Sequence, residues 1–212
     1  AFFQCYSMNK ALLVTGVETI GTYSFSYNNY HNLHSISVPD TITEIGSDAF
    51  CDSGLEYIFY YGEECDWSKI TVEDENSDLN DAERYDIIFD SIEIEATGES
   101  IIPQITVSKD GVTLTEGTDY TVSCRDNLNA GLAWIDIIFM GDHADAGVAE
   151  IPFTITPLDA SGAAIGDIPS MTYTGEPLIP DFDVTLDGIV LERGKDYVVE
   201  GSNNVNAGTA TA

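Results

Sequence analysis

Basic side chains are scarce. In 212 residues, 7 Lys+Arg face 37 Asp+Glu, a formal net charge of −30. A polyanion of this density repels phosphate backbones, which excludes nucleic acid as a partner. Anionic membrane surfaces are excluded on the same ground. Long apolar runs are missing too. The longest, Trp134 to Met140, is short and interrupted by Asp136, so no transmembrane helix is expected. No window shows helical periodicity. The four cysteines (Cys5, Cys51, Cys65, Cys124) form no CxxC pair, and His31, His34 and His143 do not stand at zinc-ligand intervals. No metal site is expected. The thiols read as isolated and buried, or as one disulfide, with Cys51 and Cys65 the candidate pair, and the sequence leaves both open. GxSxG, P-loop, HExxH and GxGxxG are all lacking, so no catalytic residue and no cofactor are assigned. The first residues hold no basic stretch followed by an apolar run, hence no signal peptide. The chain reads as a fragment of a longer, processed protein.

What is present is globular: 43% hydrophobic and 10% aromatic residues. The acidity suits a soluble, non-sticky surface in an extracellular or saline medium. Internal repetition dominates the pattern. Met8-x-x-Ala11-x-Leu13-x-x-x-Val17-x-x-Ile20-Gly21 aligns with Leu33-x-x-Ile36-x-Val38-x-x-x-Ile42-x-x-Ile45-Gly46, every position shifted by 25. Phe25 and Phe50 follow at matching places, Phe2 sits in an Ala-Phe pair like Ala49-Phe50, and a third unit begins at Leu55-x-x-Ile58-x-Tyr60. Apolar residues at fixed points of such a unit stack coil on coil, so the core forms as parallel ladders. Phe2, Phe25 and Phe50 are expected in one ladder, Ile20 and Ile45 in another.

These residues resemble the BspA-type leucine-rich repeats of bacterial surface proteins, whose pattern reads AFxxCxxLxxIxIPxxVxxIGxxAF. Ala1-Phe2, Cys5, Met8, then Leu33, Ile36, Val38-Pro39, Ile42, Ile45-Gly46 and Ala49-Phe50 fit it. Tyr61-Gly62 through Trp67 and Ile70 resembles the YxGtxxxWxxI segment that ends such arrays. Ala11 in place of Ile, the missing Pro after Leu13, and Cys51 directly after Phe50 depart from the pattern. The resemblance covers residues 1–89 and implies the terminal coils and cap of a repeat solenoid that starts in mid-repeat.

A second repeat runs at an offset of 77. It aligns Thr97-Gly98-Glu99 with Thr174-Gly175-Glu176, Asp110-Gly111 with Asp187-Gly188, Gly117-x-Asp119-Tyr120 with Gly194-x-Asp196-Tyr197, and Asn127-x-Asn129-Ala130-Gly131 with Asn204-x-Asn206-Ala207-Gly208. Of the 39 positions from Thr97 to Ile135, 18 are identical across the offset. Short alternating strands with Asp-Gly and Asn-Ala-Gly turns predict a sandwich. The tandem GxDYxVxxxxNxNAG pattern resembles bacterial Ig-like modules. The fold class is therefore mainly β: a leucine-rich-repeat solenoid fragment over 1–89, an Ig-like β-sandwich module over 90–157, and a second, truncated module over 158–212.

Candidate functional residues are aromatic. Ile58 and Tyr60 align with inward-facing Ile36 and Val38, so Tyr57, Phe59 and Tyr61 share the outward strand face. That row is either a ligand surface, continued by Ser35, Ser37, Lys10 and Leu12, or a contact buried under residues 62–89 or the first module. Tyr27, Tyr30 and His31, on the longest inter-coil loop, form a second candidate surface. His34 reads as a solvent-exposed loop residue. The acidic stretch Glu73 to Asp81 lacks the glycine of an EF-hand and reads as a solvated inter-domain loop, with an irregular calcium site as the alternative. Asp110, Asp119, Asp187 and Asp196 read as turn residues.

The expected function is non-catalytic: adhesion or ligand binding at a bacterial cell surface, with the repeats as recognition element and the modules as spacer. The partner would be a host or bacterial surface protein or glycan, with no nucleic acid and no membrane insertion in this segment. Two rivals stand beside it, a purely structural stalk and the targeting region of a larger surface enzyme.

Overall fold

The computed structural model describes residues 5, 7–27, 33–172, 174–194, 196–206 and 208–211. The protein is mainly β. Among the described residues the only α-helix is the single turn Ser77–Asp81. The chain divides into two compact units, Ala1–Leu158 and Asp159–Ala212.

The first unit opens with three successive coils. The first carries β1 (Lys10–Leu12) and β2 (Thr19–Ile20), the second β3 (Ser35–Pro39) and β4 (Glu44–Ile45), the third β5 (Tyr57–Gly62) and β6 (Thr71–Val72). Every pairing between them is parallel and joins equivalent residues: Ala11↔Ile36, Ile36↔Ile58, Ile20↔Ile45 and Ile45↔Val72. Leu33, Ile36, Val38, Ile42 and Ile45 are almost wholly buried as the inward side of this stack. Phe25 and Phe50 stack with ring centroids 5.2 Å apart and planes 10° from parallel, and Ile20 lies on Ile45, as their matching places predict. Phe2 lies outside the described residues.

Stacking leaves the last full loop with backbone donors that no further coil satisfies, and such groups need partners. Residues 73–81 supply them. Asn76, 1% exposed, accepts from Phe50 N (3.0 Å) and donates to Gly46 O (3.0 Å) and Glu73 O (2.9 Å). Asp78 Oδ2 accepts from Gly54 N at 2.7 Å, and Glu73 Oε2 from Ser47 N at 2.9 Å. The acidic stretch is thus not a solvated linker. Its side chains terminate the stack by accepting main-chain hydrogen bonds.

The chain then enters β7 (Glu83–Phe89), which runs parallel to β5 from Tyr57↔Glu83 to Gly62↔Ile88. After β8 (Glu93–Glu95), strand β9 (Ile105–Lys109) pairs antiparallel with the other edge of β7. Asp110 (φ 52°) and Gly111 (φ 75°) make the tight turn into β10 (Val112–Thr113). The result is one six-stranded sheet, ordered β1-β3-β5-β7-β9-β10. Strands β11 (Tyr120–Arg125), β12 (Gly131–Phe139) and β13 (Val148–Thr156) form a second sheet, ordered β11-β12-β13-β8.

The two sheets face each other. Ala133, Ile135, Ile137, Phe139, Ile151 and Phe153 from the four-stranded sheet share one core with Phe59, Tyr61, Tyr85, Ile87, Phe89 and Val107 from the six-stranded sheet. The inward side chains of the coils, Ile58 and Tyr60 included, form a separate core on the other side. Strand β5 is therefore buried on both faces, as interior parallel strands are. Residues 90–157 do not build a sandwich from themselves alone, because one of its layers begins in the repeats. The cause is β7, which continues the coil register on one edge and pairs with β9 on the other.

In the second unit, β14 (Ala164–Ile165), β15 (Val184–Leu186) and β16 (Ile189–Val190) form a three-stranded antiparallel sheet. The offset of 77 is a conformational repeat as well as a sequence one. Asp119 Oδ2 accepts from Thr115 N, and Asp196 Oδ2 from Glu192 N, both at 2.7 Å. Asn127 Nδ2 donates to Ile101 O (2.8 Å), and Asn204 Nδ2 to Leu178 O (3.0 Å). Arg125 pairs with Trp134, and Ser202 with Thr211. The left-handed Asp110-Gly111 turn recurs at Asp187 (φ 50°) and Gly188 (φ 83°).

Candidate functional site

The outward face of β5 is covered, not open. Phe59 is 1% exposed and stacks on Phe139 of β12 (5.5 Å, 10°), with Tyr85 of β7 at 6.1 Å. Tyr61 is fully buried, and its hydroxyl donates to Leu13 O at 2.6 Å. Burial pushes its phenol well above the ordinary value. Tyr57 stays partly exposed at the rim, edge-on to His34 at 5.0 Å. Phe59 and Tyr61 are thus unavailable as a ligand surface, because the four-stranded sheet lies over them.

The covering extends to the earlier coils. Ser35 and Ser37 are 2% and 5% exposed. Ser37 Oγ donates to Glu150 O (3.1 Å) and Lys10 Nζ to Val148 O (3.1 Å), so side chains of β1 and β3 close the edge of β13. A cleft of about 140 Å³ remains at the mouth of this junction, beside Leu12, Ser37, Phe59 and Glu150. His34 is not a free loop residue either. Its Nε2 lies 3.3 Å from Asp145 O and its Nδ1 3.4 Å from a Glu56 carboxylate oxygen. His143 Nδ1 lies 3.1 Å from the Tyr85 hydroxyl. Sequence reasoning missed this lock. Its signal was the pair of small hydroxyl residues, Ser35 and Ser37, at outward positions where the next coil carries aromatic rings.

The turn edge of the coils is different. Tyr27 is 41% exposed and takes φ 48°, and Tyr23, four residues earlier, is 46% exposed with φ 58°. Their counterparts 25 residues on are Asp48 (φ 54°) and Asp52 (φ 50°). The Cys51 thiol beside Tyr27 raises the phenol above its usual value, with Asp52 and Asp48 adding to the effect. Tyr30 and His31 lie outside the described residues. Tyr23 was not singled out from the sequence, although its alignment with Asp48 carried the signal.

Cys51, Cys65 and Cys124 are free thiols and partly buried. Cys51 hydrogen-bonds Tyr27. Cys65 donates toward Tyr60 O (3.4 Å) and Ile87 O (3.5 Å), and burial pushes its pKa to about 12. These separate surroundings set aside the Cys51–Cys65 disulfide. Near Cys65, Trp67 meets Tyr60 edge-on at 5.2 Å and carries the Arg84 guanidinium over its ring. The Tyr60–Trp67 segment is therefore packed on the third coil.

The described coils form a parallel stack whose ladder residues recur from one coil to the next, with the Tyr60–Trp67 segment packed on the third. Residues 1–76 match the BspA type leucine rich repeat region, in 6 copies. The match ends inside the acidic capping stretch and leaves both copies of the repeat at offset 77 outside it. The chain has no match among curated proteins or solved structures. No helix among the described residues is long and apolar enough to cross a membrane.

Proposed function

We propose that this protein is a non-catalytic surface binder. Residues 1–89 serve as the terminal coils of a BspA-type repeat solenoid, and residues 90–157 and 158–212 as Ig-like spacer modules. The reading places it outside a bacterial cell, bound to a host or bacterial surface protein or a glycan. The observation that carries it is the repeat match over residues 1–76, joined to a stack whose side chains are spent on packing and capping. Recognition falls to the turn edge, because the outward strand face of these coils is occupied by the first module. The test is a screen of the whole chain against arrays of glycans and extracellular proteins, with Tyr23 and Tyr27 variants as controls. Specific, saturable binding supports the reading, its loss in those variants assigns it to the turn edge, and a blank screen opposes the reading.

One observation favours a stalk as the second reading: the strand face, where a solenoid presents an extended site, is covered here. A stalk gives no saturable ligand.

A further inference from the structure

The two left-handed tyrosines are costly residues in costly places. A bulky non-glycine residue with φ near +50° is an outlier, whereas Asp is enriched there. The second coil shows what the fold itself asks for, since Asp48 and Asp52 occupy the same two turn positions at nearly the same φ. The third coil continues the first column with Glu75 (φ 63°). The coils are tied together at this edge, with Tyr23 N donating to Ser47 O (3.3 Å), Tyr27 N to Cys51 O (2.9 Å), and Asp48 N to Asp74 O (3.2 Å). The first coil therefore carries strained, half-exposed rings where its neighbours carry carboxylates, and the Tyr27 phenol lies in the field of Asp52 and Asp48 of the following coil.

The surrounding charge has one sign. Between Lys10 and Lys69 the chain holds nine Asp and Glu and no Lys or Arg. Anions are repelled from such a surface, and a neutral ligand draws nothing from the field. A cation gains from both features, through attraction to the face of an exposed aromatic ring and through Coulomb attraction to adjacent carboxylates. We propose that the turn edge formed by Tyr23, Tyr27, Asp48 and Asp52 is a docking site for a Lys- or Arg-rich segment of a partner protein, its cations lying over the rings and pairing with the acids. This rests on the surface-binder reading and names the partner's chemistry. The field also speeds encounter with such a segment in a salt-dependent way.

The test uses the whole chain and a fluorescent synthetic peptide of alternating Arg and Gly, titrated at low and at physiological ionic strength. The informative variant is Tyr23→Asp with Tyr27→Asp. It installs the residues the second coil carries at the same backbone angles, so the chain should still fold, and the thermal midpoint is measured beside binding. It also adds two negative charges. If charge alone drove binding, the variant would bind more tightly. The site predicts the reverse, a loss of about five- to thirtyfold from two missing ring contacts of ordinary exposed strength. Asp48→Asn with Asp52→Asn should weaken binding as well and flatten its salt dependence. Unchanged or tighter binding by the tyrosine variant overturns the proposal, as does a peptide that ignores the Asn variant. Binding of a neutral oligosaccharide at these rings in place of the peptide overturns it too. A hit in the array screen that survives the tyrosine variant sinks this inference while leaving the surface-binder reading intact.

Discussion

Replacing Phe59 by Ala probes the junction between repeats and module directly. The side chain is 1% exposed and lies between Phe139 and Tyr85, which belong to different sheets. Removing a buried ring without collapse of the site costs roughly 3–5 kcal/mol. The first unit spans Ala1–Leu158, and unfolding a unit of that size carries an entropy of about 0.3 kcal/mol per kelvin. The midpoint should therefore fall by about 9–15 °C. Phe139→Ala should act on the same contact, and the double variant should recover about 0.5–1.5 kcal/mol of coupling, the usual value of an aromatic pair. The two tryptophans make the assay specific. Trp67 sits in the segment packed on the third coil and Trp134 in β12, and the second unit has none. Fluorescence of the full chain thus reports the first unit alone, while Trp67→Phe and Trp134→Phe versions separate its two ends. Because β7 belongs to both parts, the two signals should melt together, and Phe59→Ala should shift both equally. A shift below about 3 °C, or two separate transitions of which one moves, would refute the shared-layer account.

Asn76→Ala should lower stability by about 1–3 kcal/mol in chemical denaturation, because it strands the buried Phe50 N–H, and Asn76→Asp should be nearly as damaging since it loses the donors to Gly46 and Glu73. Stability should fall between about pH 9 and pH 12. Burial raises the folded-state pKa of Cys65 from 9.0 to about 12, so the unfolded chain sheds that proton first, and a Cys65→Ala variant should show a shallower alkaline decline in thermal midpoint. Asp119→Ala and Asp196→Ala each orphan the same turn N–H and should each cost about 0.5–2 kcal/mol in denaturant titrations. Only the first should move the tryptophan signal.

The repeat ladders were legible because equivalent residues must stack: Phe25 on Phe50 and Ile20 on Ile45 followed from spacing alone. The register at offset 77 was legible for a different reason, that identical turn residues make the same local hydrogen bonds in each copy, down to the Asp and Asn side chains that hold its turns. The fate of Tyr57, Phe59 and Tyr61 was legible only as a choice. Alternation fixes which face a side chain takes, but what covers that face depends on contacts across about 80 residues. The acidic stretch misled because composition points to solvent, while Asn76 and Asp78 answer to donors at the end of the stack. The αL tyrosines were hidden because backbone conformation at a turn shows only when the neighbouring coil supplies the comparison.

Strands β5 and β7 run in the same direction, side by side, over six residue pairs. Suppose the chain is held at a point before β5 and drawn from a point after β7. The load then pulls the start of one strand against the end of the other, along their common axis. The hydrogen bonds between them must slide and fail as a group, since no end is free to peel open one bond at a time. Under tension, the strand that joins repeats to module becomes a clamp in shear, and the force it withstands is set by the rate at which that group of bonds ruptures.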